Sequence, residues 1–426
     1  MTAPGAGAPA RLRILWLKTE LLHPVDRGGR IRTYNMLREL RRTHEVTYVA
    51  FTDETTPHDA LEQADEYCST LVPVPVRLPQ RGSAAFLAGL ARSVASPLPY
   101  VVWRCRSPEM EREIVRRTSA GEVDVVVCDF LFPSINVPAA LPCPTVIFQH
   151  NVEAMIWRRH ADIARNPLKR ALMRDQWRKI RRFEAAECRR FDRVIAVSEE
   201  DRALFESEYG CRGVEQVPTG VDTSFFRPAG REPRRAHEMV FTGAMDWLPN
   251  EDGIAWFAEA ILPRVRAAIP DAALTIVGRR PSARVRALAA ADGSVTVTGG
   301  VPDVRPYLER AALFVVPLRI GGGTRLKIFE AMAMEKPIVS TTIGAEGLPV
   351  IDGEHLRIAD DPDAFAGAVV ELLRDAERAR SLGDAAAALV RAEYGWAGVA
   401  ERFGNICARL AAGARHASIH QVTTTA

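Results

Sequence analysis

Residues 314–347 read FVVPLRIGGGTRLKIFEAMAMEKPIVSTTIGAEG. The run 314–317 has the apolar pattern of a buried strand, Gly321, Gly322 and Gly323 form a turn, 324–334 has helical periodicity, and 337–340 is the next strand. Three consecutive glycines let the backbone approach a ligand with no Cβ in the way. The following helix presents N–H groups and the positive end of its dipole to that turn, so the expected guest is an anion. Arg325 and Lys327 stand in the first helical turn, where the dipole disfavours cations; a phosphate partner accounts for both. Glu330, one turn after Lys327, either pairs with it or accepts hydroxyl donors from a ligand. Leu326, Ile328, Phe329, Ala331 and Met332 make the helix apolar around much of its circumference, as an interior element requires. No Gly-Lys-Ser/Thr follows the glycines, so this is not a P-loop.

Strand, turn, helix, strand is the repeating unit of a doubly wound α/β fold, and the same alternation runs outward in both directions. Upstream, strands are expected at 12–17, 45–51, 71–76, 124–128, 145–148, 193–197 and 214–217. The first is followed by a loop with Gly28 and Gly29, and then by a helix over 31–40. A second cycle has strands at 239–242, 274–277, 295–298, 313–316 and 338–340, with helices near 252–261, 282–290 and 304–311. The polar, basic, proline-broken stretch 223–237, TSFFRPAGREPRRAH, reads as a linker. The expectation is therefore a Rossmann-like domain over 1–222 and a second over 238–395, their strand carboxyl ends facing one cleft. A last helix over 396–412 follows the Tyr394-Gly395 break, and 413–426 is expected to be a disordered tail.

The whole chain is consistent with two domains: 426 residues exceed one ordinary core. The net charge of +3 is small, but charge is clustered. Over 157–193 there are 13 Lys and Arg against 5 Asp and Glu, on expected long helices interrupted near Asn166-Pro167. That stretch is either a solvated face with local ion pairs or a contact for anionic lipid. Nucleic acid is not an expected partner, because no module that binds it is discernible. The seven cysteines are scattered without CxxC pairs, which suits reduced thiols in a cytoplasm and argues against a zinc site. No signal peptide or membrane span is apparent, so the expected localisation is cytoplasmic, with the inner face of the membrane as a candidate docking surface.

Three further stretches carry candidate residues. Gly28 and Gly29 sit where the first strand's loop meets its helix, beside Arg30 and Arg32, and permit close approach to a phosphate or an acceptor. His150 ends the strand 145–148 and is either a polar cap or part of a site on that strand's carboxyl edge. Gly243, in FTGAMDWLPN (241–250), lets the first turn of the second domain approach a ligand, while Trp247 and Pro249 read as packing. The turns at 278–280 and 299–302, and the loop IGAEGL holding Glu346 and Gly347, lie on the same edge.

Strand, Gly-rich turn and a helix carrying EAMAxxKPIVSTxxGAEG resemble the donor-binding segment of the family-4 retaining glycosyltransferases of GT-B fold, in a branch with a GGGTRLK-type donor loop. The resemblance covers nearly the whole chain. It implies that N–H groups around Thr324, Arg325 and Leu326 hold a diphosphate, and that Glu330 binds the nucleotide ribose. That family usually carries two glutamates seven residues apart; Glu330 matches the second, and Gly322 stands at the first. QHNVE resembles the family's HNxE segment, which implies that His150 contacts the donor hexose and acts in positioning, not as a nucleophile. Gly28-Gly29 resembles its GG loop. Many members hold the diphosphate with an arginine and a lysine after the turn that contains Gly243; this chain has Trp247 and Asn250, so the charge role moves to Arg325 and Lys327. The implied activity is retaining transfer of a hexose from a nucleotide diphosphate sugar, bound in the second domain, to a lipid-linked or glycan acceptor bound in the first. No cofactor is expected, and no required divalent metal either. Exopolysaccharide or cell-envelope glycan synthesis is the setting that family habit suggests. Two other readings stand beside it: a nucleotide-sugar epimerase of the same fold, and a catalytically silent nucleotide-binding partner subunit, prompted by Gly322.

Overall fold

The computed structural model describes residues 11–25, 28–77, 79, 82–163, 166–320 and 326–424. The chain divides into two compact units, one of Met1–Pro218 with Val399–Ala426, the other of Thr219–Gly398.

The first unit is built on seven parallel strands: β1 (Arg13–Lys18), β2 (Glu45–Thr52), β3 (Thr70–Pro75), β4 (Val125–Asp129), β5 (Thr145–Gln149), β6 (Arg193–Ala196) and β7 (Glu215–Gln216). Their order is β3-β2-β1-β4-β5-β6-β7. Leu15 pairs with Thr47 of β2 on one side and with Val126 of β4 on the other. The direction of winding therefore reverses between β1 and β4, which opens a crevice at their carboxyl ends. The second unit repeats the plan with β8 (Arg235–Thr242), β9 (Ala273–Val277), β10 (Val295–Gly299), β11 (Ala311–Val316), β12 (Ile338–Ser340) and β13 (Arg357–Ile358), ordered β10-β9-β8-β11-β12-β13. Its winding reverses between β8 and β11. Central strands such as RILWLK, VVVCD and AALFVV are buried almost throughout, because a parallel sheet covered by helices on both faces has no solvent side for a polar residue.

Every strand expected from the sequence is a strand here, displaced by a residue or two at most ends, and four details differ. β8 begins at Arg235, inside the stretch read as a linker, because its polar start pairs with Ala311 of β11. The segment from Thr219 groups with the second unit: the Val221 N–H donates to the Tyr394 carbonyl at 2.7 Å. Gly220 lies so near Trp396 that a Cβ there would sit 2.6 Å from the ring. The two-residue β13 was not foreseen, being too short for a periodic signal. The residues expected to form a disordered tail instead continue a helix, Trp396–Thr424, over a proline-free, alanine-rich sequence of good helix propensity.

From Val399 onward that helix belongs to the first unit. Phe403 is fully buried, with ring centroids 5.3 Å from Trp16 and 5.2 Å from Phe148. Gly404 permits the approach, since a Cβ there would lie 2.7 Å from His44 Nε2. Arg415 donates to Asp124 at 2.8 Å. Among the described residues no helix is long and apolar enough to cross a membrane. Phe403→Ala removes a large ring from a closed core and should cost about 3–5 kcal/mol of unfolding free energy. Urea denaturation of the whole chain would measure it; a change below about 1 kcal/mol would show that this helix adds little to the first unit.

Candidate functional site

In the second unit the elements around the β8/β11 reversal are held at close range by missing side chains. Gly243 follows β8 and Gly278 follows β9, and a Cβ on Gly278 would lie 1.6 Å from the Gly243 carbonyl oxygen. The Gly243 N–H donates to the Val277 carbonyl at 3.0 Å. A Cβ on Gly243 would sit 2.7 Å from Asn250 Nδ2 and 2.8 Å from Lys327 Nζ. The absent side chain is thus what admits Asn250 and Lys327 beneath the turn.

Asn250 is buried, and its Nδ2 donates to the Ala244 carbonyl at 2.9 Å. That bond turns Oδ1 toward Lys327, whose Nζ donates to it at 2.8 Å. The same ammonium lies 4.1 Å from the centroid of Phe241, a favourable cation–π placement. Lys327 stands in the first turn of the helix Leu326–Ala333, and Glu330 follows one turn later. Burial pushes the Glu330 carboxyl up to about 7, against the opposing pull of Lys327. No hydrogen bond among the described residues engages its carboxylate, so of the two roles read from its spacing, direct pairing with Lys327 is not adopted. Gly321, Gly322, Gly323, Thr324 and Arg325 lie outside the described residues. Trp247 and Glu346 are exposed, and Arg280 pairs with Asp246 at 3.2 Å.

In the first unit the β1/β4 reversal carries a buried ionic cluster. Lys18 ends β1 and Asp129 ends β4; both are essentially inaccessible, with Nζ 3.0 Å from Oδ2. That oxygen also accepts from Trp16 Nε1 at 2.9 Å and from Thr33 Oγ1 at 2.6 Å. Burial alone would raise the Asp129 pKa, but Lys18, His150 and Thr33 together hold it well below the usual carboxylate range. His150 Nε2 lies 2.9 Å from Asp129 Oδ1, and its ring sits 4.0 Å from Phe130 and 4.5 Å from Phe148. Burial pushes the imidazole down to about 3 despite Asp129, so His150 is neutral at pH 7. Its Nδ1 is buried with no hydrogen-bond partner among the described residues.

Gly28 and Gly29 open the helix Gly28–Leu40 directly beside this cluster; a Cβ on Gly29 would meet the Phe130 ring at 3.3 Å. The two neighbouring arginines diverge. Arg30 pairs with Glu20 at 2.7 Å, whereas Arg32 is buried, donates to the His150 carbonyl at 3.4 Å and is pushed down to about 10 by burial. Glu153 starts the helix Glu153–Ile163, whose first N–H groups, on Glu153 and Ala154, donate to the Glu184 carboxylate at 2.8 and 3.0 Å. Burial pushes Glu184 up to about 7 and, with Glu184 beside it, Glu153 up to about 8.

The structure thus brings Gly243, Lys327 and Glu330 together in one unit and Gly28, Gly29 and His150 in the other. The sequence reading did not single out Lys18, Thr33 and Asp129, and noted Asn250 only as a departure at its position; the structure places all four in these clusters. A signal existed for two of them: Lys18 and Asp129 are charged residues closing otherwise apolar strands, and a doubly wound fold turns such positions toward its ligand edge. Among the described residues, no group of three or more His, Cys, Asp or Glu is placed to hold a metal ion.

Two family models match the chain: Glycosyltransferase Family 4 over residues 27–225 and Glycosyl transferases group 1 over residues 236–375. A GDP-mannose-dependent alpha-(1-6)-phosphatidylinositol monomannoside mannosyltransferase of Mycolicibacterium smegmatis is 31% identical over 213 residues. That alignment covers 45% of this chain and 56% of the relative, so the chain spans little more than half the length of that enzyme. An uncharacterized 44.6 kDa protein in the cps region of Klebsiella pneumoniae is 22% identical over 402 residues, 90% of this chain and 96% of that one. Among solved structures, HepE of Anabaena in complex with UDP and glucose superposes with a TM-score of 0.64 at 14% identity, covering 94% of this chain and 100% of that one, a likeness of fold alone. The two parallel-sheet units are those of the GT-B architecture, and the chain belongs to the glycosyltransferases of the family 4 and group 1 type.

Proposed function

We propose that this glycosyltransferase moves a hexosyl group, with retention of configuration and without a required divalent ion, from a nucleotide diphosphate sugar to a hydroxyl of a lipid-linked or glycan acceptor. The observation that carries the reading is the Lys327 ammonium held on Asn250 under the Gly243 turn, with Glu330 one helical turn away. A diphosphate at that turn meets a fixed cation, and the ribose hydroxyls donate to Glu330. A GDP-mannose-dependent relative supports a nucleotide diphosphate hexose as donor. Arg325 and the N–H groups of residues 321–326 belong to the same reading on the sequence alone.

The hard step is charge building on the departing diphosphate. As the anomeric carbon–oxygen bond to phosphate breaks, a bond to the acceptor oxygen forms on the same face, and the acceptor proton passes to the released phosphate oxygen. Lys327 stabilises the growing charge, at an ammonium already positioned before the reaction. No protein nucleophile is then needed. His150, neutral and oriented by Asp129, serves in substrate positioning. Gly28 and Gly29 keep the backbone accessible at the start of their helix.

Cell-envelope or exopolysaccharide synthesis on the cytoplasmic face of the membrane is the proposed setting. The basic stretch supports a lipid contact selectively. Lys179 turns inward to the Ser93 and Val94 carbonyls, and Arg190 to Glu187, whereas Arg174, Arg178 and Arg182 are exposed. Leu168 opens the helix Pro167–Arg190 at 79% exposure, and Leu87 and Val94 of the adjoining helix Ala84–Ala95 are each 57% exposed. Apolar side chains offered beside exposed arginines suit an anionic bilayer surface.

Lys327→Ala should weaken nucleotide diphosphate sugar binding by about 10–100-fold, the loss of one charge-assisted hydrogen bond. Isothermal titration against the UDP, GDP and ADP sugars measures it, and unchanged affinity would sink the assignment. Turnover in the same preparation should survive EDTA. The pH dependence carries a definite sign: only the ionised Glu330 accepts two hydroxyl donors, so donor affinity should rise by about tenfold between pH 6 and pH 8. A diphosphate diester does not titrate in that range, and in Glu330→Gln the profile should be flat; an equally steep profile in that variant would contradict the ribose role. Co-sedimentation with vesicles should show preference for anionic over neutral lipid, reduced in a triple Arg174, Arg178 and Arg182→Gln variant; equal binding to both vesicle types would remove the membrane contact.

A further inference from the structure

The helix Glu153–Ile163 starts just after His150, and the sequence gives it no cap of its own. Val152, at the position where Ser, Thr, Asp or Asn usually accepts from the first turn, has no polar side chain. The N–H groups are met from other elements instead. Glu184 Oε1 accepts from the Glu153 N–H at 2.8 Å, and Oε2 accepts from the Ala154 N–H at 3.0 Å. The Tyr209 hydroxyl, at the end of the helix Glu199–Tyr209, also donates to Oε2 at 2.9 Å. One turn beyond Glu184 on the helix Pro167–Arg190, the Cys188 thiol accepts from Gln149 Nε2 at 3.5 Å. Glu184 and Cys188 thus grip the chain on either side of His150.

Glu184 is fully buried, and taking a carboxylate out of water costs far more than placing a hydroxyl there. A serine at 152 would satisfy the first turn locally. A carboxylate from a different helix does what a local cap cannot: it fixes where Glu153–Ile163 begins relative to Pro167–Arg190. The N–H groups it holds belong to the segment that carries His150, so the same bonds fix the backbone from which the imidazole projects. The ring and the carbonyl are fixed separately, Nε2 by Asp129 Oδ1 at 2.9 Å and the carbonyl oxygen by Arg32 at 3.4 Å. An ionised carboxylate only accepts, so Nε2 carries the proton and Nδ1, buried with no partner among the described residues, is left as an acceptor suited to a hydroxyl.

We propose that Glu184 is a positioning residue for His150: by holding the first turn of the helix that follows, it sets the imidazole where a substrate hydroxyl meets Nδ1. Its effect on turnover rests on the role of His150 in the proposed glycosyl transfer; its coupling to His150 rests on the contacts alone. The helix Pro167–Arg190 thereby acquires a second task, its outer face carrying exposed arginines and its inner face holding the histidine segment.

The test is a double-mutant cycle in the full chain, read as kcat/KM for transfer in Glu184→Gln, in His150→Gln and in the two together. Glutamine keeps the shape of the side chain but turns an NH2 group toward one of the two backbone N–H groups. Glu184→Gln alone should lower kcat/KM by about tenfold, but by less than about twofold once His150→Gln is present, because the loss is exerted through the same imidazole. Tyr209→Phe removes one donor from Oε2 and leaves both N–H bonds; it should lower kcat/KM by about threefold, again absorbed by His150→Gln, and it decides the matter if Glu184→Gln does not fold. Equal losses with and without His150, or unchanged kcat/KM in both single variants, overturn the inference. A second readout needs no turnover. The imidazole nitrogen resonances of His150, assigned by their loss in His150→Gln, should show a neutral ring protonated at Nε2 and should shift in Glu184→Gln, while those of His237 in the second unit stay in place. If the unaltered protein transfers no sugar, the glycosyl-transfer reading falls, and a shift of the His150 resonances still upholds the coupling; resonances that do not move overturn it.

Discussion

A parallel strand covered by helices on both faces leaves little room for a polar side chain except at its ends. This constraint organises both units of the protein. The strands close as apolar runs, and the residues able to do chemistry collect where those runs stop: Lys18 and Asp129 at β1 and β4, His150 after β5, Gly243 after β8. The winding order then selects among the ends. Only where neighbouring connections depart in opposite directions, at β1/β4 and at β8/β11, does the carboxyl edge open between loops. Both clusters described above stand at these two reversals. The backbone plan therefore chose their position before any side chain was specified.

What distinguishes the two clusters is how each handles a lysine. Lys18 is buried against the Asp129 carboxylate, which also accepts from Trp16 and Thr33. The charges cancel, the donors are satisfied, and removal of either partner would strand the other at a cost of about 3–5 kcal/mol. That is the profile of a scaffold: it orients His150 and fixes the entry of the helix Gly28–Leu40. Lys327 is fixed by the neutral carbonyl oxygen of Asn250 and by the face of Phe241. These contacts fix its position before any ligand arrives, which suits the proposed role of meeting an anionic donor group.

The fold was legible in the sequence because its signal is local and repeated: apolar runs of four to eight residues, turn glycines, then helical periodicity. Features that depend on distant partners were not. The polar start of β8 looks like linker until Ala311 is known to pair with Arg235, and the last helix looks like tail until Phe403 meets Trp16 and Phe148. The site divides in the same way. Lys327, Glu330, Gly243 and His150 sit in or next to short motifs, which is why the sequence singles them out as candidates. Asn250 was noted only as a departure from the usual cation after the Gly243 turn. Its role, holding the cation that comes from Lys327 instead, depends on a contact across 77 residues of sequence.

The buried carboxyl groups show the same principle in their protonation. Burial pushes each of them up; a cation in contact decides whether it stays there. Asp129, with Lys18 at 3.0 Å, is held low. Glu184 has two N–H donors and the Tyr209 hydroxyl at 2.9 Å but no ion pair among the described residues, and rises to about 7. Glu153, beside that like charge, rises to about 8. Glu330 has Lys327 on the same helix but no hydrogen bond from the described residues, and settles near 7. It is therefore poised: in the proposed donor complex, hydroxyl donors from a ribose would favour the ionised form, a nearby diphosphate would oppose it, and Lys327, one turn before Glu330, would offset that repulsion. On the proposed reading Lys327 would do two things at once, drawing in the diphosphate and keeping Glu330 able to ionise beside it, and this would account for a cation in the first turn of a helix, where the dipole disfavours it.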